Sequence, residues 1–302
     1  MKTMDWKAPE LVRENLALRS RLKNRKRVVV KVGSSSLLHS GTKRLDYHRI
    51  DTLARELSDL KNRGMDVILV SSGATAAGRE ALNRDMDVLS QESPITVKQA
   101  CAAIGQARLI MIYQKFFEDY NQMTAQVLMT KNTVTNPKSK LNLKNTFNEL
   151  LALNVIPIVN ENDSIATDEY SVGDNDSLSA MVASIMKADL LILLSDVDGL
   201  YTDDPRTNKD AEFIEYVPRL NDAVMAMGKA STGSGAGTGG MSTKMHAALM
   251  ATSAGCDMVI VNTAGGMSVI DDVISGRNVG TLFRADYSEK FSLEDYIRTF
   301  DT

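Results

Sequence analysis

From Arg27 onward, short runs of Val, Ile and Leu alternate with stretches whose apolar positions recur at helical spacing. The runs at 28–32, 67–71, 125–129, 155–160, 190–195 and 258–262 show little apolar–polar alternation, the pattern of parallel strands buried on both faces. Helical patterns fill 47–62, 74–82, 96–120, 141–153, 176–186 and 242–254. Strands separated by helices predict an α/β fold with an open, mainly parallel sheet sandwiched by helices. Such sheets bind ligands beyond the C-terminal ends of their strands, so the polar residues just after each run are the candidates for function.

Residues 9–24 also carry a helical pattern. Leu11, Leu18 and Leu22 form an apolar stripe, widened by Val12 and Leu16, that predicts a buried face. Six of the nine residues from Arg19 to Arg27 are Lys or Arg. That run reads as a solvated helix end, where cations are favoured, or as a patch for an anionic partner. Residues 1–26 are therefore set apart as a basic helical extension, and 27–302 as a single domain. Loss of the extension is expected to lower stability and leave the chemistry intact, because no motif begins before Val30.

Composition narrows the class. Hydrophobic residues make up 43% of the 302 and charged residues 24%, which excludes a mainly disordered chain. A formal net charge of −3 disfavours a general nucleic-acid binder. The basic segment at 19–27 also lacks the interleaved aromatics of a strand-binding surface. Two cysteines, Cys101 and Cys256, build no disulfide framework, and no Cys/His spacing matches a zinc site. No run is long enough to span a membrane, and a cytoplasmic location is expected.

The first strand ends Val30-Lys31-Val32-Gly33-Ser34-Ser35-Ser36. A lysine within an apolar strand is costly unless it meets an anion or snorkels to solvent, and Gly33 allows close backbone approach to a phosphate. The second ends Ser71-Ser72-Gly73-Ala74 at a helix start, which is an anion site or an ordinary N-cap. Asn160-Glu161-Asn162-Asp163 and Gly173-Asp174-Asn175-Asp176 cluster polar groups at the fourth strand and the next helix. They suit an amine or a metal–nucleotide, with helix capping as the plain alternative. Ser195-Asp196-Val197-Asp198-Gly199 pairs two aspartates that suggest a metal, but a turn before Gly199 is the better reading.

Six of the 13 residues from Gly228 to Gly240 are glycine, and the stretch leads through Met241-Ser242-Thr243 to Lys244. It follows a helical pattern and not a strand, so its formal G-x-G-x-x-G match is no dinucleotide fingerprint. A glycine loop with a lysine in the next helical turn suits a lid over phosphates; a flexible linker has no need of that lysine. Two lysines, glycine–hydroxyl turns and strand-end carboxylates are a minimal apparatus for phosphoryl transfer. A carboxylate acceptor would need no general base. That fits a chain whose His39, His48 and His246 are scattered.

These segments, in this order, resemble the amino acid kinase family, in the branch that phosphorylates the glutamate γ-carboxylate. The markers are Val-Lys-Val-Gly-Ser-Ser at 30–35, Ser-Ser-Gly-Ala at 71–74, Ala-Gly-Arg-Glu at 77–80, Asn-Glu-Asn-Asp at 160–163, Val-Gly-Asp-Asn-Asp at 172–176, Ser-Asp-Val-Asp-Gly-Leu-Tyr at 195–201 and Gly-Thr-Gly-Gly-Met-Ser-Thr-Lys at 237–244. The resemblance implies a substrate-binding N-terminal half and an ATP-binding C-terminal half. It makes Lys31 and Lys244 the groups that neutralise the transferring phosphoryl, with Asp176 holding both. It gives glutamate to Ser72, Asp163 and Asn175. It gives ATP to Lys31, Ser195, Asp196, Thr238, Gly239, Gly240, Met241, Ser242, Thr243 and Lys244. Magnesium would ride on the ATP phosphates, with no protein ligand assigned. Glutamyl 5-phosphate would be the product, the first step of proline synthesis, with proline as feedback inhibitor and the chain a homo-oligomer without membrane or nucleic-acid partners. Many members carry a further C-terminal RNA-modification-type module, for which the chain is expected to be too short. The segment 133–145, rich in Thr, Asn and Lys with Pro137, is expected to be a flexible loop over the acceptor site. Acetylglutamate, aspartate, carbamate and uridylate are the rival acceptors within the family. A non-catalytic amino-acid or nucleotide sensor is the rival outside catalysis, and the retained pair Lys31 and Lys244 argues against it.

Overall fold

The computed structural model describes residues 5–82, 95–166, 172–229 and 240–299. All six apolar runs are strands, each within one residue of its expected limits. In chain order the first half holds α1 (Pro9–Arg19), a 3-10 turn (Leu22–Asn24), β1 (Arg27–Val32), α2 (Ser34–Leu37), α3 (Tyr47–Asn62), β2 (Asp66–Ser71), α4 (Ala74–Ala81), α5 (Ile95–Asp119), β3 (Thr124–Met129), α6 (Lys131–Thr135), α7 (Pro137–Ala152) and β4 (Ile156–Glu161). The second half holds α8 (Asn175–Met186), β5 (Leu190–Ser195), β6 (Leu200–Tyr201), β7 (Phe213–Ile214), β8 (Tyr216–Val217), α9 (Asp222–Lys229), α10 (Met241–Ser253), β9 (Asp257–Asn262), α11 (Val269–Ile274), β10 (Thr281–Phe283) and α12 (Leu293–Arg298).

Eight strands form one sheet in the order β3-β4-β2-β1-β5-β9-β10-β8. The pairings are parallel except for β10 against β9. Period-two alternation sends successive side chains to opposite faces, and both faces are covered. Val29, Ile68, Val70, Leu191 and Leu193 pack under α7, α8 and α10. Val28, Val30, Leu69, Ile158, Ile192 and Val259 pack under α3, α5 and α11. Lys31 lies two residues after Val29, so its side chain belongs to the α8/α10 face. From the central β1 the chain moves to β2 on one side and later to β5 on the other. The C-terminal ends of β1, β2 and β5 therefore flank a topological switch point, where an open α/β sheet leaves a crevice.

One expectation is corrected, and a second holds only in part. The segment 133–145 is not a flexible loop but the end of α6 and the start of α7. Asn136 caps α7, its side chain accepting from Lys138 N and Ser139 N at 3.0 Å each, and Pro137 occupies the first turn. Proline there starts a helix, because its missing N–H would have no partner anyway. Lys140 then pairs with Glu294 of α12.

The apolar stripe of the N-terminal segment is buried in part: Leu11 and Leu18 pack half-buried against the core beside Leu22, but the residues that widened the stripe do not. Leu16 is 52% exposed and Val12 40%, whereas Asn15 and Arg19 are 1% and 0% exposed. Only Leu22 of the expected stripe is fully buried. The Arg19 guanidinium donates to Asn15 Oδ1 and to the carbonyls of Glu215, Arg277, Val279 and Gly280 at 2.7–3.2 Å. Burial pushes its pKa down to about 10, still well above neutrality. Saturation of its donors makes this buried cation tolerable. Arg19→Ala would leave several buried carbonyls without a donor, a loss of about 3 kcal/mol. Deletion of 1–24 would also expose the surface under Leu22. Both variants are expected to melt lower, Arg19→Ala by about 5 °C. An unchanged melting curve for Arg19→Ala would show that water replaces the guanidinium without cost.

Candidate active site

The parallel sheet brings the ends of β1, β2 and β5 and the N-termini of α8 and α10 around one cavity of about 360 Å³. Lys31, Ser72, Asn175, Asp176, Ser195, Asp196, Gly240, Met241 and Lys244 all line it, as do Gly33 and Asp174. Residues from five separate motifs thus meet in one space.

Asp176 is the hub. It sits in the first turn of α8 and is 1% exposed. The Lys31 ammonium lies 2.5 Å from one carboxylate oxygen and the Lys244 ammonium 3.1 Å from the other. Burial pushes the Asp176 carboxyl up, but the two ammonium groups pull it down further, so the net lies below the usual carboxylate value. A carboxylate is favoured at a helix N-terminus. Lys244 is the reverse case: it occupies the first turn of α10, at the positive end of the macrodipole, and is 6% exposed. A buried cation is electrostatically misplaced there unless Asp176 and a further anion offset it. Gly33 makes room for the arrangement, since a Cβ at that position would stand 3.2 Å from Lys31 Nζ.

Two of the helices around the site start without a side-chain cap. Gly73 caps α4 and Gly240 caps α10, and in neither does the capping residue's side chain accept from the backbone N–H groups. By contrast α3, α7, α8 and α12 are capped by Asp46, Asn136, Asp174 and Ser292. Glycine caps leave backbone N–H groups to a ligand. Gly73 needs its glycine, having φ of 107°.

On the β2–β4 side, Asn175 Nδ2 donates to Ser72 Oγ at 2.8 Å and to Asn160 Oδ1 at 3.0 Å. Ser72 and Asn175 are therefore neighbours across 103 residues of chain. Asp163 is half-buried just beyond β4 and is not among the residues lining the cavity. Burial alone pushes its carboxyl up. Among the described residues no cation pairs with it. Asp174 also titrates high, through burial and the nearby Asp176 charge, although Ser177 donates to it from its backbone and hydroxyl at 2.8 Å each.

On the β5 side, Ser195 is buried and its carbonyl accepts from Thr263 N at 2.9 Å, while Asp196 faces solvent at the rim. Asp198 serves the turn: it accepts from Asn262 Nδ2 at 2.7 Å and from Tyr201 OH at 3.1 Å. Ser242 and Thr243 lie in the first turn of α10 without lining the cavity. Thr243 Oγ1 donates to Gly240 O at 2.8 Å. Thr238 and Gly239 lie outside the described residues.

The cavity has a wall that the motifs did not mark. Asp203, Asp204, Pro205 and Arg206 line it, with Arg206 Nη2 donating to Asp204 Oδ2 at 2.8 Å. This polar run follows a two-residue strand too short to stand out in the sequence. Met227 of α9 lines it as well. Among the described residues no group of three or more acidic, His or Cys side chains could hold a metal ion, and no helix is long and apolar enough to cross a membrane.

Two ammonium groups held by one buried carboxylate, beside a helix start without a side-chain cap, are an arrangement able to stabilise charge on a polyphosphate and on a phosphoryl group in transit. With the sheet topology they define an α/β phosphotransferase. The model of the amino acid kinase family matches residues 26–262, and the chain belongs to that family. It is 48% identical over 265 residues to a glutamate 5-kinase of Clostridium tetani, covering 87% of this chain and 96% of that one. To a glutamate 5-kinase of Carboxydothermus hydrogenoformans it is 46% identical, covering 88% of this chain and 70% of the relative. Among solved structures, carbamate kinase from Giardia lamblia bound to AMP-PNP superposes with a TM-score of 0.62 at 17% identity, covering 87% of this chain and 100% of that one. UMP kinase from Ureaplasma parvum does so with a TM-score of 0.58 at 16%, covering 86% and 99%. These two show the fold alone.

Proposed function

We propose that the chain transfers the γ-phosphoryl group of MgATP to the γ-carboxylate of L-glutamate, giving L-glutamyl 5-phosphate and ADP, the first step of proline synthesis. The observation that carries this is the Lys31–Asp176–Lys244 bridge between the Ser72/Asn175 end of the cavity and the Ser195/Gly240 end. The similarity to glutamate 5-kinases supports the choice of acceptor. A carboxylate oxygen attacks the γ-phosphorus while the bond to the ADP oxygen breaks. The acceptor is ionised at neutral pH, so no proton has to be removed. Lys31 and Lys244 meet the charge on the moving phosphoryl, and Asp176 keeps two like charges at working distance. Gly240, Met241 and the open start of α10 take the ATP phosphates, and Ser195 and Asp196 the nucleotide side. Magnesium would be held by the ATP phosphates that bring it and would offset their charge, since both Asp176 oxygens are turned to the lysines.

Ser72 and Asn175 hold glutamate, and Asp163 supplies the countercharge for its α-ammonium. An acetylated amine would have no use for that carboxylate. Release of ADP, measured against glutamate, acetylglutamate, aspartate and uridylate, tests the assignment: turnover should need glutamate, and faster turnover of acetylglutamate would refute it. Asp163→Asn is expected to raise the glutamate KM about tenfold or more, with the ATP KM nearly unchanged, since it removes a charge-assisted contact to one substrate alone. The opposite split would place Asp163 with ATP. Proline shares the α-carboxylate and charged amine but lacks the γ-carboxylate, so it competes with glutamate at this end. Val97, Ile104 and Met111, seven apart on α5, are 41%, 42% and 67% exposed and would be covered in a homo-oligomer. The enzyme works in the cytoplasm, with its two buried cysteines reduced.

A further inference from the structure

We propose that Gln106, on α5, is a positioning residue for the acceptor substrate, setting through Asn160 and Asn175 the direction in which the Ser72 hydroxyl donates; the proposal rests on the functional reading above. The basis is a chain of polar side chains that starts outside the cavity and ends in it. Asn160 Nδ2 donates to Gln106 Oε1 at 2.8 Å. Asn160 Oδ1 accepts from Asn175 Nδ2 at 3.0 Å, and the same Nδ2 donates to Ser72 Oγ at 2.8 Å.

An amide has one accepting and one donating end, so each link dictates the next. With Gln106 presenting oxygen, Asn160 must turn its NH₂ toward α5 and its oxygen toward Asn175. Asn175 must then turn its NH₂ to Asn160 and Ser72, leaving its own oxygen for another donor. Ser72 accepts from Asn175 and keeps its proton to donate. A carboxylate substrate accepts only, so a donating Ser72 suits it. Were the chain reversed, Ser72 would spend its proton on Asn175 and offer the carboxylate lone pairs alone. Asn160 is 4% exposed, so a misdirected amide there has little water to satisfy it.

The helix that carries Gln106 is fixed against the site. A Cβ on the preceding Gly105 would stand 1.7 Å from the carbonyl oxygen of Ala74, so α5 meets the start of α4 backbone to backbone just after Ser72 and Gly73. Two turns before Gln106, Gln99 Nε2 donates to Ala166 O at 3.0 Å and ties the segment after β4 to the same helix. Two turns after it, Tyr113 OH lies 2.7 Å from Ser71 Oγ, which donates to Ser72 O at 2.8 Å. Strand alternation agrees: Ile156 and Ile158 face the α5 side of the sheet, and Asn160 is the next residue in that series.

The test is steady-state kinetics on the full chain with Gln106→Met, Gln106→Glu, Ser72→Ala and the Ser72→Ala/Gln106→Met double variant. Methionine keeps the length of glutamine but has no carbonyl oxygen. It should raise the glutamate KM about tenfold, the scale of one misdirected hydrogen bond, while the ATP KM moves less than about twofold. Gln106→Glu always presents an oxygen to Asn160 and should recover most of that loss. Because Gln106 acts through Ser72, the double variant should be no worse than Ser72→Ala alone. Additive effects in the double variant, equal rises in both KM values, or a loss confined to melting temperature would each overturn the proposal. Failure of the functional reading shows separately, as absence of glutamate turnover by the unsubstituted chain; the cycle is then read with whichever carboxylate of the panel is turned over.

Discussion

Lys244→Ala is expected to lower kcat by about 10²–10³ and to change the glutamate KM far less, the pattern of a group that acts on charge developed in the transition state. Lys244 is buried at the positive end of α10. That position costs stability in the resting protein, so an anion must compensate it. Asp176, 3.1 Å away, supplies part. The phosphoryl group between acceptor and ADP supplies more at the moment when its charge is spread over its equatorial oxygens. Lys244→Arg keeps the charge but needs a wider planar pocket, and it should recover little. Single-turnover measurements with saturating ATP and glutamate isolate the chemical step. An unchanged rate for Lys244→Ala would remove this lysine from catalysis and leave Lys31 alone at the phosphoryl.

Asp176→Asn is expected to cost both activity and stability. The substitution keeps size and removes charge, leaving two buried ammonium groups without their shared carboxylate. Breaking a buried ionic network from one side costs about 3–5 kcal/mol. The lysines would also move apart, and kcat should fall by about 10² because catalytic charges act only within a narrow geometry. The pH dependence has a definite sign. Since the lysines hold the folded carboxyl below its ordinary value, Asp176 contributes stability above the unfolded pKa of about 4, and that contribution fades as pH falls through the folded value. Asp176→Asn should therefore melt lower at neutral pH and lose part of the acid limb of its stability profile. Normal melting together with normal kcat would show that the lysines need no anchor.

Legibility in the sequence differed by element. The buried strands were plain because Val, Ile and Leu run without interruption wherever both faces are covered, as in Leu190–Ser195. The short strands Leu200–Tyr201, Phe213–Ile214, Tyr216–Val217 and Thr281–Phe283 were not, because two or three residues carry no period. Lys31 and Lys244 stood out by chemistry, since charged residues beside apolar runs or small-residue turns need a reason, whereas Asp176 was singled out only by the family resemblance. Gln106 gave no such signal, since a neutral polar side chain on a long helix is common and its role exists only through Asn160 and Asn175. The first helix was legible only in part, for a related reason. Leu11 and Leu18 do turn inward as their spacing predicts, yet the same face also carries the fully buried Asn15 and Arg19. Hydrophobic pattern cannot anticipate that four backbone carbonyls from 215–280 converge to receive a guanidinium.

By itself the sequence determined the alternation of strand and helix, the class of sheet, the motifs at strand ends and the charges that phosphoryl transfer needs. These follow from local rules: burial on two faces, backbone freedom at glycine, and the cost of an unpaired charge. The tertiary structure decided which charges meet. Lys31, Asp176 and Lys244 are separated by 145 and 68 residues, and strand order together with side-chain alternation puts them on one face at one switch point. It decided that 133–145 is helix and not a loop, through the Asn136 cap and the Lys140–Glu294 pair. It also decided the direction of the amide chain from Gln106 to Ser72. Hydrogen-bond direction is a property of neighbours in space, and no position along the chain encodes it alone.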